Sequence, residues 1–357
     1  MAVIRPFMSN DLNRPESVVG EGGAFLYWVN DLPMARLHRV FYLKVGLRRD
    51  VRVRVAHFRP LGTALGTLVL MHGRTEFIEK YASLINHYVS LGFIVVTFDW
   101  RGQGLSTRAI PSKPRKGHIH DFEAYVRDLQ IIMERAVLPD CPLPLYGLAH
   151  SMGGLIALHF MVRKPVLFDR VILTAPLLRY NVPNASHKSI TRLSAVATWL
   201  GLAKRYAPGT GDTMAGTAPF RSNPVTSDEK QYGTVADVLD AHPDLGLGGP
   251  TVGWLHQMAK AMRSVWDQNF LDQISTPCLF VQAGEDMIVS PDAIERIAAA
   301  VPTASLLRLP RSKHEPMFER DEIRELFLSA SEAFFSVPQL RKGNVTRSLE
   351  NFDYSVL

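Results

Sequence analysis

The sequence contains little cysteine, no long hydrophobic run and no secretory signal. Its two cysteines, Cys141 and Cys278, lie far apart and belong to no CxxC pair, so neither a disulfide framework nor a zinc site is expected. The longest uninterrupted apolar run, at 24–29, has six residues. Because a membrane-spanning helix needs about 18 or more, no segment is expected to cross a membrane. The amino terminus lacks the apolar stretch of a secretory leader, and a reducing, cytoplasmic location is predicted.

The sequence also lacks a strong net charge of either sign. Lys and Arg number 40 against 34 Asp and Glu, a net charge of +6, and no basic helix or aromatic RNA-binding motif accompanies this excess. Nucleic-acid binding is therefore not expected, whereas peripheral contact with an anionic surface such as the inner membrane stays open. Part of the excess lies in a strand-like segment where Arg52 and Arg54 alternate with valines. This alternation predicts that both arginines face solvent.

Short apolar runs alternate with segments of helical periodicity from residue 67 onward. This pattern is typical of an α/β fold, in which helices cover a parallel sheet. The segment 51–58 instead has the pattern of one arm of an antiparallel hairpin, so the sheet is expected to be mixed. Six strands are predicted at 67–71, 93–99, 144–148, 170–175, 278–283 and 305–310. Five helices are predicted at roughly 78–91, 122–137, 152–163, 292–300 and 319–334.

One interval, 178–250, interrupts this alternation. It contains no convincing strand and is rich in Gly, Pro, Thr and Asp around a single amphipathic stretch at 189–206. A second candidate helix follows at 251–266. The apolar face of the first stretch is expected to pack against the core. That face consists of Ile190, Leu193, Val196, Ala197 and Leu200, widened by Trp199 and Leu202.

The order of these segments predicts four regions. Residues 1–177 form the first part of an α/β core, with an amino-terminal extension, and residues 251–337 form its second part. Residues 178–250 form an inserted helical cap between the two parts. The remaining residues, 338–357, are polar and are predicted to form a loosely held tail.

The strongest local signal is the segment 145–154, in which an apolar strand runs into a tight turn and then a helix. Ser151 lies at this turn, which resembles a nucleophile elbow. A serine held there in a strained backbone conformation presents its hydroxyl at the carboxyl edge of the sheet. Residues two positions away must be small, because strand and helix nearly touch. Gly153 satisfies this requirement, and Ala149 adds one methyl group.

A serine hydroxyl becomes a nucleophile when a base takes its proton and an acid orients the base. Asp286 follows a predicted strand and is expected at the carboxyl edge, and we prefer it over its neighbour Glu285. His314 follows the last predicted strand, before the closing helix. The order Ser151, Asp286, His314 predicts a catalytic triad. We interpret His150, beside the serine, as a packing or hydrogen-bonding residue rather than a second base.

Cleavage of an acyl bond also needs hydrogen-bond donors for the oxyanion. The backbone amide of Met152 is free at a helix start, and a second amide is expected from the loop after strand 67–71, where we choose Arg74. For the guanidinium of Arg74 we predict an ion pair with Glu76 or Glu79, with contact to an anionic headgroup as the alternative. Neither a metal nor a cofactor is predicted.

Eight short motifs occur in order along most of 67–335. They are HGRTE at 72–76, FDWRGQGLS at 98–106, GHIHDFEAYVRDL at 117–129, LAHSMGG at 148–154, LTAPLL at 173–178, GGPTVGWL at 248–255, GEDMIV at 284–289 and SKHEPMFE at 312–319. Together they resemble the serine-hydrolase branch of the α/β-hydrolase superfamily, in particular bacterial lysophospholipases, monoacylglycerol lipases and serine aminopeptidase-like hydrolases.

This resemblance implies an α/β-hydrolase fold, with a mostly parallel central sheet flanked by helices and an inserted helical cap over an acyl-binding pocket. It implies that Ser151, Asp286 and His314 are nucleophile, acid and base. It also implies that the amides of Arg74 and Met152 form the oxyanion hole.

The resemblance predicts hydrolysis of carboxylic esters of lipid-like substrates, such as a lysophospholipid or a monoacylglycerol, through an acyl-enzyme on Ser151. The alternative is a serine aminopeptidase, which requires acidic groups in the cap to hold the amine of its substrate. A non-catalytic binding protein of the same fold is disfavoured, because all three triad residues are present. The acidic candidates in the cap are Asp212, Asp228, Glu229, Asp237 and Asp240.

Overall fold

The computed structural model describes most of the chain. The described residues are 5–8, 15–27, 29–33, 36–46, 50–182 and 187–336. The predicted tail at 338–357 lies outside them. No helix in these ranges is both long enough and apolar enough to span a membrane.

An eight-stranded sheet forms the centre of the fold, in the spatial order β11-β10-β9-β8-β6-β7-β5-β4. Six strands run parallel, and β4 and β5 are antiparallel to their neighbours. The predicted mixed sheet and the predicted hairpin arm at 51–58 are therefore confirmed. The strands are β4 (Leu37–Lys44), β5 (Arg52–Phe58), β6 (Gly66–Met71), β7 (Phe93–Phe98), β8 (Leu145–His150), β9 (Arg170–Thr174), β10 (Cys278–Ala283) and β11 (Ala304–Leu309).

A second, three-stranded antiparallel sheet precedes the central one and was not predicted. Its strands are β1 (Arg5–Met8), β2 (Pro15–Val19) and β3 (Phe25–Tyr27). The backbone amide of Glu21, just after β2, donates a 2.9 Å hydrogen bond to the carbonyl of Val40 in β4. The amino-terminal segment is thereby attached to the outer strand of the central sheet.

Nine α-helices lie in the described part of the chain, and seven of them correspond to predicted segments. Those seven are α1 (Ala82–Ser90), α2 (Glu123–Ile132), α3 (Met152–Arg163), α4 (His187–Ala197), α6 (Val252–Ser264), α8 (Pro291–Ala300) and α9 (Asp321–Phe334). The other two are α5 (Glu229–Ala241) and the short α7 (Gln268–Leu271).

The helices cover both faces of the sheet, which explains why the central strands are apolar throughout rather than alternating. Along β6, Leu68 and Leu70 belong to the apolar cluster that includes α1 and α9. Val69 and Met71 point the other way and belong to the cluster that includes α2, α3 and α8. The core therefore lies on both sides of the sheet and fixes its carboxyl edge rigidly.

The interval 178–250 contains more helix than predicted. In addition to α4, the structure has α5, whose first turn is capped by Asp228 accepting a hydrogen bond from the amide of Gln231. Only Tyr232 and Leu239 of α5 are buried. The single amphipathic stretch that the sequence indicates in this interval is therefore an underestimate.

The prediction that the apolar face of α4 packs on the core is wrong. The helix packs on α6, and Ser194 is its one buried side chain among those described. The larger apolar residues of the face, on α4 and on its continuation Thr198–Leu202, lie outside, because α6 already occupies the position next to the core. Exposed fractions are 71% for Leu193, 55% for Val196, 84% for Trp199 and 59% for Leu200.

The prediction for Arg54 is also wrong. Arg52 is exposed, as predicted, but Arg54 is fully buried. Because β4 and the amino-terminal segment cover this part of β5, the guanidinium needs partners inside the protein. It forms two 2.7 Å bonds to the Glu79 carboxylate, a 2.8 Å bond to Asp99 and a 3.0 Å bond to the carbonyl of Phe25. Burial alone lowers the pKa of Arg54, but these two carboxylates more than offset it and raise the pKa.

Candidate active site

Ser151 lies at the turn between β8 and α3, in a conformation that side chains rarely adopt. Its backbone has φ 50° and ψ −114°. A positive φ at a non-glycine residue is strained and persists only when surrounding structure enforces it. The surrounding structure is tight at Gly153, where an added Cβ would lie 2.4 Å from the carbonyl oxygen of Met71. The start of α3 therefore lies so close to the end of β6 that position 153 has no room for a side chain.

The structure brings Ser151, Asp286 and His314 together at the carboxyl edge of the sheet. Nε2 of His314 lies 3.0 Å from Oγ of Ser151, and Nδ1 of His314 lies 2.6 Å from Oδ2 of Asp286. The other carboxylate oxygen of Asp286 accepts hydrogen bonds from the amides of Ile288 and Val289, at 2.8 and 2.9 Å. All three side chains are buried. This arrangement fixes the imidazole between a hydroxyl and a carboxylate.

The carboxylate also sets the protonation of His314. Burial lowers the pKa of the imidazole, but the charge and hydrogen bond of Asp286 outweigh burial, so the pKa of His314 is raised. The rival acid Glu285 is exposed. His150, whose ring centre lies 4.7 Å from that of His314, differs because burial lowers its pKa to about 3. His150 is therefore neutral near pH 7, in agreement with a packing and hydrogen-bonding interpretation.

The two amides chosen for an oxyanion hole have no hydrogen-bond partner within the described residues. Met152 is the first residue of α3, where helix geometry leaves the amide free. The amides on either side of Arg74 are both engaged: that of Gly73 donates to the Glu76 carboxylate, and that of Thr75 donates to Gln103 at 2.6 Å. These bonds hold the loop in place and leave the amide of Arg74 available.

The side chain of Arg74 does not form the ion pair predicted for it. Its guanidinium donates to the carbonyl of Gly248 and lies over the ring of Trp254, 5.1 Å from the ring centre. The two predicted partners are engaged elsewhere: Glu79 binds Arg54 and Glu76 binds Lys80. Sequence proximity along one loop therefore does not decide the pairing.

A buried ionic cluster that the sequence did not indicate lies beside the imidazole. The ammonium of Lys80 is 2.7 Å from Glu76 and 2.5 Å from Glu315. Glu76, His150 and Glu315 carry groups that ligate metals, but the ammonium is bonded to both carboxylates and supplies the positive charge there. The hydroxyl of Tyr81 also donates to Glu76, at 2.8 Å. The cluster connects the loop after β6 with the segment that carries His314.

The chain is similar to known proteins over most of its length. Residues 62–321 match the family model described as serine aminopeptidase, S33. The chain belongs to this family. The lysophospholipase L2 of Escherichia coli strain K12 is 32% identical over 302 residues, which cover 83% of this chain and 87% of that protein. The probable lysophospholipase L2 of Haemophilus influenzae is 29% identical over 295 residues, covering 81% and 90%.

Solved structures show the same fold for this S33 family member. A soluble variant of monoglyceride lipase from Saccharomyces cerevisiae superimposes with a TM-score of 0.65 and 17% identity, covering 83% of this chain and 95% of that one. The monoacylglycerol lipase of Paleococcus ferrophilus superimposes with a TM-score of 0.60 and 21% identity, covering 80% and 98%. The predicted α/β-hydrolase fold and the predicted family resemblance are confirmed.

In this S33 family member, the side chains of Ser151 and His314 line a cavity of about 590 Å³. One part of its wall is mainly apolar and aromatic, and another part is polar. Neither set was predicted, because the lining comes from the core, the inserted segment and the amino-terminal segment together. The apolar part includes Leu177, Tyr180, Trp254, Leu255 and Ile288, and the polar part includes Asp31, Lys80, Asn223, Lys230 and Glu315.

Proposed function

We propose that this protein is a serine hydrolase that cleaves carboxylic esters of lipid-like substrates, with Ser151 as nucleophile, His314 as base and Asp286 as the acid that orients the base. The observation that carries the proposal is the hydrogen-bonded series from Ser151 to Asp286 at the wall of a partly apolar cavity. The names of the two lysophospholipase relatives support a lysophospholipid as the substrate.

The reaction follows from the roles of these groups. His314 takes the hydroxyl proton as Oγ of Ser151 attacks the ester carbonyl, and the amides of Arg74 and Met152 bind the oxyanion that forms. The imidazolium then gives its proton to the leaving alcohol, and the acyl group stays on Ser151. Water, deprotonated by His314, attacks this acyl-enzyme and releases the fatty acid, which restores the serine.

The inserted segment supplies part of the proposed acyl site. We place the acyl chain in the apolar part of the cavity, beneath the cap at 178–250. Tyr180, Met214 and Val235 of that segment line the cavity together with core residues such as Leu177 and Ile288. The substrate ester then lies between the cap and the carboxyl edge of the sheet.

The aminopeptidase alternative is weaker. None of the five acidic candidates from the cap lines the cavity, to which α5 contributes the cation Lys230 instead. Four carboxylates outside the cap line the cavity. Glu76 and Glu315 are bonded to Lys80, Glu79 is bonded to Arg54, and Asp31 belongs to the amino-terminal segment. A substrate amine therefore has no uncompensated carboxylate from the cap to bind, and ester hydrolysis is favoured.

We further propose that the protein meets its lipid substrate at an anionic membrane surface, through the exposed face of α4. Large side chains such as Leu193 and Trp199 stand exposed there. The surrounding segment 188–205 has no acidic residue and four basic ones. An apolar face with basic flanks is typical of a helix that lies in the interface of a membrane. The four basic residues are Lys188, Arg192, Lys204 and Arg205.

A hydrolysis panel tests the proposed function. Lysophosphatidylcholine, monoolein, p-nitrophenyl butyrate and proline 4-nitroanilide are incubated with the wild type and with Ser151→Ala. We expect cleavage of the esters, no cleavage of the anilide, and loss of both turnover and fluorophosphonate labelling in the variant, by a factor on the order of 10⁴ to 10⁶ in rate. Undiminished ester hydrolysis by Ser151→Ala would refute the nucleophile assignment, and preferential cleavage of the anilide would favour the peptidase.

The pH dependence tests the base. His314 must be neutral to accept a proton, so kcat/KM falls as the pH drops through its pKa, which lies above the usual value of about 6.5. Asp286→Asn removes the carboxylate that raises this pKa. We expect the acid limb to move to lower pH and kcat to fall on the order of 10⁴-fold. An acid limb that stays in place would contradict the coupling of the two residues.

A further inference from the structure

Arg74 differs from the other enclosed cations near the site, because no carboxylate compensates its charge. Arg54 binds Glu79 and Asp99, and Lys80 binds Glu76 and a second glutamate. Within the described residues, Arg74 has only the carbonyl of Gly248 as acceptor, and its Nε is a buried donor without a partner. Burial lowers the pKa of Arg74 to about 10, which still leaves the guanidinium charged near pH 7.

The side chain is also positioned, rather than loosely placed. The ring of Trp254 lies below the guanidinium, 5.1 Å from its central carbon. Gly117 leaves room on another side, since an added Cβ there would lie 2.7 Å from Nη2 of Arg74. Arg74 lines the same cavity as Ser151 and His314. A planar donor group with unused hydrogen-bonding capacity is therefore held at the wall of the proposed substrate site.

The length of the Arg74 side chain limits the distance between its guanidinium and the proposed oxyanion hole. The backbone amide of Arg74 is one of the two amides we assign to the oxyanion hole, so the guanidinium lies one side-chain length from the substrate carbonyl. In a lysophospholipid, a glycerol unit separates the acyl ester from the phosphate, which is a comparable length. A monoacylglycerol has no charged group at that position.

We propose that the guanidinium of Arg74 binds the phosphate of a lysophospholipid headgroup and thereby favours phosphodiester substrates over neutral monoacylglycerols. Arginine matches phosphate oxygens with a planar fork of donors, and such charge-assisted hydrogen bonds are stronger than neutral ones. The phosphate of the substrate supplies the negative charge that no carboxylate of the described residues provides beside Arg74. This assignment rests on the proposed ester hydrolase function.

The test compares two substrates with the same acyl chain, 1-oleoyl lysophosphatidylcholine and 1-monoolein. In Arg74→Gln we expect the ratio of the two kcat/KM values to shift toward monoolein by about 10- to 100-fold, with a smaller shift in Arg74→Lys. Arg179→Gln is the matched control. Arg179 also lies over a tryptophan ring, 4.3 Å from Trp266, and also has an unpartnered Nε, but it does not line the cavity. Its ratio should equal that of the wild type.

An equal loss on both substrates in Arg74→Gln would assign the side chain a purely structural part and overturn the inference, while leaving the hydrolase assignment intact. A wild type that cleaves neither substrate would instead overturn the proposed function itself. A shift in Arg179→Gln as large as in Arg74→Gln would also overturn the inference, because it would not depend on the cavity.

Inhibition of the wild type provides a measurement that needs no variant. With p-nitrophenyl butyrate as substrate, we expect glycerophosphocholine to inhibit competitively and more strongly than glycerol. Equal inhibition by the two would overturn the inference. Stronger inhibition by inorganic phosphate than by glycerophosphocholine would mean that Arg74 binds free phosphate rather than a lipid headgroup. That result would also overturn the inference.

Discussion

Two neighbouring helices, α4 and α6, have similar amphipathic patterns and opposite surroundings. Met258 and Met262 of α6 are fully buried in the core cluster. Leu193 and Trp199, on the face of α4 and its continuation, are mostly exposed. The comparison shows that hydrophobic periodicity predicts which side of a helix is apolar, but not what covers that side.

Layer order explains the difference. The helix α6 lies directly on the core, and α4 packs on α6 as an outer layer. Monomeric proteins rarely leave a large contiguous apolar patch exposed without an interaction that uses it. The difference between the helices is therefore informative about function, and it can be tested by substitutions of the same kind on both.

The largest expected effect is on stability. Met258→Ala removes a fully buried side chain from α6 and is expected to lower the free energy of unfolding by about 2–5 kcal/mol. Leu193→Ala, a similar truncation on α4, should change it by less than about 0.5 kcal/mol. Urea unfolding followed by circular dichroism measures both. Equal losses would mean that the face of α4 is covered in solution.

The second effect is on membrane binding. The double variant Leu193→Ser/Trp199→Ser is expected to bind vesicles of phosphatidylglycerol and phosphatidylcholine at least about tenfold more weakly than the wild type, since each lost apolar side chain contributes about 1.5–3 kcal/mol when buried. Co-sedimentation measures this, and turnover of p-nitrophenyl butyrate should not change. Leu326→Ser, at an exposed leucine of α9, is the control. If Leu326→Ser weakened vesicle binding as much as the double variant does, the result would contradict the proposal that α4 contacts the membrane.

The smallest effect concerns charge beside the same face. Arg192 is exposed on α4, and each basic residue near an anionic surface contributes about 1 kcal/mol. Arg192→Gln should therefore weaken binding to anionic vesicles by about fivefold at low salt. At high salt, or with vesicles of phosphatidylcholine alone, the variant and the wild type should bind alike. If Arg192→Gln still bound more weakly than the wild type at high salt and with phosphatidylcholine vesicles, the result would contradict an electrostatic contribution.

The candidate triad could be predicted because its parts follow parallel strands. Asp286 follows β10, His314 follows β11, and Ser151 follows β8, and the carboxyl ends of parallel strands meet at one edge of a sheet. No fine detail of packing is needed for that conclusion. The same holds for the parallel strands themselves, whose apolar runs are long enough to be recognised.

The missed features depend on contacts that local patterns do not encode. Arg54 alternates with valines like a solvent-facing residue, but strands that were not recognised cover it. Lys80 and Glu315 are 235 positions apart, and only the completed fold brings them together. The helix α5 was missed for a different reason, since Gly233 and the β-branched residues that follow it have low helix propensity.

The Arg54 cluster distinguishes the part of the chain that the family model matches from the part that the fold requires. The family match begins at residue 62, downstream of Arg54 and of Phe25, whose carbonyl Arg54 also binds. A fragment trimmed to the match would lose β4 and β5 together with Arg54, and would leave the neighbouring carboxylates Glu79 and Asp99 without their counter-ion. The family match and the folding unit thus have different boundaries here, and an expression fragment must retain the upstream strands.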